Sequence, residues 1–272
     1  MPSPDVLSPA QTEFEPTLQL LELPIPLRNG ESATVRSLLE EFYGSMFGEY
    51  MRTKQPLRFP REAYDRELSL ADSGTDLCPI GHQMHTVRHL SILIEQERAD
   101  GTLLALDDRS TAVLLLAGGL HDMGECQHPE LLWYTDYLPG DKPSGTKEPE
   151  DVEAEAAVRR LFYNTIFRHV DPSVIEEMEA LVSHANKDTS LLHDYLHAAH
   201  SAQTLRTAMN AKKAYANAER QPRAEVDEAR LLALKAMSTG VFANSKKEVE
   251  KAVSFPHLMM LLEASKQPPA RL

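Results

Sequence analysis

Residues 111–120 read TAVLLLAGGL, a run without a charge that stops abruptly at His121-Asp122-Met123-Gly124-Glu125. A stretch this apolar reads as a core helix. Such a helix has no packing reason to present an imidazole and a carboxylate side by side at its inner end, but a metal site would supply one. Gly118-Gly119 just before the dyad would permit close backbone approach. The run is far shorter than the ~20 apolar residues that a membrane span needs, so no membrane partner is expected.

The pattern around this run is helical almost throughout. Helices are expected over SATVRSLLEEFYGSMFGEYMR, with Ser32 as N-cap, and over GHQMHTVRHLSILIEQE, ending near Gly101. In the second of these, His82, His85, His89 and Ile92 fall on one side, and Val87, Leu90 and Ile94 on the other, as in a central helix. DVEAEAAVRRLFYNTIF, DPSVIEEMEALVSHA and the long segment 188–216 follow. Two further helices are expected over 223–265, with Pro256 kinking the last. No run alternates with period two. The fold expected is all-α, a single multi-helix bundle over 31–272 whose motif-bearing core is about 80–215. Residues 1–30 carry repeated prolines and form an extended arm that packs through LQLLELPIPL. One long irregular stretch, CQHPELLWYTDYLPGDKPSGTKEPED, follows the dyad, and loops of that length inside a domain are usually functional or disordered.

Composition narrows the function classes. In 272 residues the net charge is −13, which argues against a nucleic-acid polymer as partner, because phosphate binding needs clustered Lys and Arg. Only Cys78 and Cys126 are present, with no CxxC, which suits free thiols in a reducing compartment. The start MPSPDVLSPA has no basic segment followed by an apolar one, so a cytoplasmic location is expected. The Met-rich HLMMLLEAS near the C-terminus is core or a homodimer interface.

A His-Asp pair alone is weak evidence, and a second copy occurs at His193-Asp194. The surroundings of the first copy raise it, since His85 opens a buried-type helix and more His and Asp residues lie on the helix 188–216. Side chains from separate helices of a bundle can converge on one cation. With these residues the chain resembles the HD-domain metal-dependent phosphohydrolases. His85 in HTVR matches the start of the family's first motif helix, and His121 and Asp122 match its dyad. The likeness is closer to the 5′-deoxynucleotidase-like branch: HDMGE, LPGDKPSGTK and EPEDVEAEAA place Glu125, Asp141, Lys147 and Glu155 at that branch's motif positions. At the fourth ligand the chain departs, having His200 where the family carries Asp, with Asp194 as the alternative.

The resemblance implies metal ligation by His85, His121, Asp122 and His200, catalytic roles for Glu125 and Asp141, and substrate contacts from Arg88 and Lys147. Glu125 would serve as general base or water-orienting group, and Arg88 and Lys147 would hold phosphate in an otherwise acidic protein. His-rich ligation favours Mn, Fe, Co, Ni or Zn over Mg. The substrate implied is a small phosphomonoester such as a nucleotide. Two other readings stay open: a di-iron oxygenase on the same scaffold, drawing further ligands from His82, His89 or His184, and an inactive binding protein in which His200 has disabled the site.

Overall fold

The computed structural model describes residues 19–53, 79–100, 106–124, 149–183, 191–220, 231, 234–235 and 237–251. Among them the protein is all-α, with one two-stranded sheet. Strands β1 (Pro24–Pro26) and β2 (Ser32–Thr34) pair antiparallel, Ile25 opposite Ala33. The helices are α1 (Val35–Gly44), α2 (Met46–Thr53), α3 (Pro79–Asp100), α4 (Asp108–Leu120), α5 (Pro149–Thr165), α6 (Pro172–Val182), α7 (Leu191–Ala218) and α8 (Phe242–Lys251). A π-helical turn, Met237–Val241, leads directly into α8.

Helix α4 is the axle of the bundle. Every residue from Thr111 to Leu120 is buried, and α1, α3, α6, α7 and β1 all pack against it. Asp107 caps its N-terminus, its carboxylate accepting from the Ser110 N–H at 2.7 Å. At Gly118 and Gly119, added Cβ atoms would fall 2.6 Å from Leu90 Cδ1 and 2.4 Å from Leu39 Cδ2. The paired glycines thus let α3 and α1 approach the last turn closely, as the sequence suggests.

Helices α3 and α4 run antiparallel. Arg98, near the end of α3, donates to Asp108 and Thr111 at the start of α4, both at 3.2 Å. The start of α3 therefore lies level with the end of α4, where the dyad sits. Helix α7 packs across α3 and also touches α4. Helix α5 joins the core through Phe162, whose ring meets Phe42 and Phe47 edge-on at 5.3 and 5.4 Å. Arg159 on α5 makes a bidentate pair with Glu179 on α6 at 2.9–3.1 Å. Arginine's planar fork suits this arrangement, since it satisfies both carboxylate oxygens while itself buried.

Three local features differ from the sequence expectation. The first helix starts at Val35, and Thr34 rather than Ser32 is its N-cap. Thr34 Oγ1 accepts from the Ser37 N–H while Ser37 Oγ accepts from the Thr34 N–H, a reciprocal capping box. That helix is also broken at Ser45, whose hydroxyl bonds the Phe42 carbonyl behind it and accepts from the Phe47 N–H ahead. Finally, residues 24–34 form the β1–β2 hairpin, so the division between arm and bundle at residue 30 falls inside a turn. Gly30 sits in that turn at φ +85°, a conformation that glycine adopts without penalty. The LQLLELPIPL segment does pack, through buried Leu20 and Ile25, and Leu27 pairs with Val170 between α5 and α6. None of the described helices is long and apolar enough to cross a membrane.

Candidate metal centre

Four side chains from three elements converge at the dyad end of α4. His82 comes from the first turn of α3, His121 and Asp122 from the turn that ends α4, and His200 from the middle of α7. One ligand-capable atom from each lies within 4.8 Å of all the others. The three imidazoles stand edge-to-face, with ring centroids 4.9 Å apart for His82–His200, 5.0 Å for His82–His121 and 5.2 Å for His121–His200. Asp122 lies between two of them: Oδ2 is 3.6 Å from His82 Nε2, and Oδ1 is 3.4 Å from His121 Nε2.

The two imidazole–carboxylate separations are longer than direct hydrogen bonds and close to the donor spacing of a metal site. Ligand bonds of about 2.0–2.1 Å in a tetrahedral site put neighbouring donors roughly 3.3 Å apart. A hydrogen bond between the same atoms would draw them in to about 2.7–2.9 Å. His121 makes the case sharper. Its Nδ1 is 2.7 Å from the Gly118 carbonyl oxygen, and a carbonyl only accepts, so the proton is on Nδ1. Nε2 is then the nitrogen left toward the cluster, where it is buried without a hydrogen bond. Metal-bound histidines commonly hold their second nitrogen in this way.

The backbone under the dyad is met from α3. Gln83, fully buried, sits where its amide nitrogen can donate to the Gly119 carbonyl and its oxygen can accept from the Asp122 and Met123 N–H groups, each at 3.3 Å. One side chain can thus satisfy both a carbonyl and two N–H groups at the turn, beside His82 in sequence. On the other flank, Gly124 lies tight on α5. A Cβ there would come within 2.8 Å of Glu155 Cβ and 3.0 Å of Arg159 Nη1. Glu155 is buried and 4.0 Å from that guanidinium, an ion pair within α5 against which the turn packs.

Of the ligands expected from sequence, His121, Asp122 and His200 come together. The residue that α3 contributes to the four is His82, whereas His85 lies one turn further along, buried but outside the group. The reason is axial level. Both residues are on one face of α3, but the antiparallel pairing sets the helix's first turn against the end of α4. The short 101–107 connection carries that signal in the sequence, because short connections join antiparallel neighbours. Asp194, the alternative to His200, is exposed near the start of α7, away from the group. Arg88 is half-buried on α3. Glu125, Asp141, Lys147 and His184 lie outside the described residues, as do the long stretch after the dyad and both cysteines. Among the described residues these four form the only set of three or more close metal-ligating side chains.

Comparison with known family models, curated proteins and solved structures gives no match for this chain.

Proposed function

We propose that the protein is a metal-dependent phosphohydrolase acting on a nucleotide or similar small phosphomonoester. One observation carries the reading: three imidazoles and a carboxylate, drawn from three helices, lie within 4.8 Å of one another at the dyad. Phosphomonoester hydrolysis is among the slowest uncatalysed reactions. A bound divalent ion would lower the pKa of a coordinated water and polarise a phosphoryl oxygen. Three nitrogen donors and one oxygen favour Mn, Fe, Co, Ni or Zn over Mg, which prefers oxygen ligands.

The chain's own residues prepare that chemistry. His121 keeps Nε2 toward the cluster through the Gly118 bond, and Gln83 can bond the backbone that carries Asp122. Glu125, three residues after Asp122 in the sequence, is assigned the proton-accepting role, with Asp141 as partner acid. Arg88 and Lys147 are assigned to substrate phosphate, where a cation offsets the acidity of the chain. The resemblance to the HD-domain phosphohydrolases supports the reaction class.

The test pairs elemental analysis of the purified protein with a phosphate-release panel of nucleoside monophosphates and an aryl phosphate, with Mn, Co or Mg supplied. The expected result is one transition ion at the centre and release that stops on chelation. A rate indistinguishable from buffer across the whole panel sinks the proposal.

A further inference from the structure

Helix α7 carries a second set of imidazoles outside the four-residue centre. His193 and His197 are one turn apart, their ring centroids 4.4 Å from each other and the rings inclined at 56°. His193 is half-buried and His197 exposed. At 100° per residue, His197 stands about 40° and His200 about 20° to either side of His193, so all three share one face. His200 belongs to the centre, and His197 sits only about 4.5 Å before it along the axis. Within the centre His82 and Asp122 are buried, while His121 and His200 are partly exposed. His193 and His197 thus lie on the α7 face that carries His200, and His197 on that face is exposed.

We infer that His193 and His197 form a second, exchangeable divalent-metal site that stages the ion for the centre. The inference rests on the reading of the centre as a metal site. Two imidazoles at i and i+4 of a rigid helix are pre-organised to chelate one ion. Nitrogen donors favour the later first-row metals, Ni, Cu and Zn. Two imidazole donors hold an ion less firmly than the four converging donors of the centre, so it exchanges more readily. The net charge of −13 raises the local concentration of any cation around the molecule.

The experiment titrates untagged, chelator-treated full-length protein with Ni²⁺ by calorimetry and follows Co²⁺ entry into the centre by its visible absorption after rapid mixing. The wild type is expected to take a tight and a weaker equivalent. His197→Gln should lose only the weaker one, and His121→Asn only the tight one. Both substitutions keep a polar side chain, and circular dichroism checks that they fold. Co²⁺ entry at limiting metal should slow several-fold in His197→Gln, with the same final occupancy. A weak event that survives in His197→Gln, or Co²⁺ entry as fast as in the wild type, overturns the inference. A wild-type titration showing only the event sensitive to His197→Gln supports the pair as a metal site and overturns the reading of the centre.

Discussion

His121 gives its two ring nitrogens different tasks, and the difference makes a clean experiment possible. Nδ1 is tied to the Gly118 carbonyl at 2.7 Å, while Nε2 faces His82, Asp122 and His200. An asparagine amide nitrogen occupies nearly the place of Nδ1 but offers nothing at Nε2. His121→Asn should therefore retain the bond to Gly118 and the fold while removing one ligand. Even losing a partner behind a ligand costs about 10- to 100-fold in metal affinity, so loss of the ligand itself should cost at least that. Competition with a chromophoric chelator measures it, and wild-type affinity in His121→Asn would remove His121 from the centre. Sequence identified this residue because an imidazole beside a carboxylate at the end of an uncharged run has no packing explanation. It ranked His85 ahead of His82, which it held only as a further ligand of the di-iron reading, because periodicity gives the face of a helix and not the level at which it meets its neighbour.

At the scale of elements, chain chemistry fixes where the helices begin. Asp107 caps α4, and Asp171 caps α6 just before Pro172, accepting from the Ser173 N–H and hydroxyl. The Ser110 N–H, and then its hydroxyl, hold the Asp107 carboxyl below the usual carboxylate range; the Ser173 hydroxyl, and then its N–H, do the same for Asp171. A carboxyl depressed in the folded state stabilises it above the unfolded pKa of about 3.9, and that contribution is lost as pH falls through the folded value. Asparagine caps about as well but does not titrate. The melting temperature of the Asp107→Asn/Asp171→Asn protein should thus match the wild type near pH 6 and fall less on acidification toward pH 3. Parallel melting curves at every pH would remove these caps from the acid response. The capping roles of Asp107 and Asp171 come from the structure, whereas the helix that begins at DPSVIEEMEALVSHA was legible in the sequence. The β1–β2 hairpin was not, because strands of three residues, one of them Pro-Ile-Pro, are too short to display a period of two. The Ser45 break was also hidden, since apolar spacing continues across it.

For the whole molecule, the all-α bundle was legible because one run, Thr111–Leu120, is uncharged at every position and the surrounding segments repeat at helical spacing. The stretch after the dyad carries turn residues and charge but no periodicity, so sequence assigns it roles without giving it a shape. What the fold adds is convergence: His82, the dyad and His200 belong to segments far apart in the chain and meet only when α3, α4 and α7 have packed. An unfolded chain disperses these donors and binds the ion weakly. Linkage then converts affinity into stability, about 2.7 kcal/mol when free metal is 100 times Kd. At roughly 2–4 °C per kcal/mol for chains approaching this length, saturating Mn or Co should raise the melting temperature of chelator-treated protein by about 5–10 °C. At the same metal concentration a site weakened 10- to 100-fold contributes only about 0.4–1.4 kcal/mol, so His121→Asn should rise by about half as much or less, because its ligand set is incomplete. Differential scanning fluorimetry on both proteins measures the contrast. An equal rise in wild type and variant would place the stabilising ion elsewhere and leave the dyad as a packing feature of the helix end.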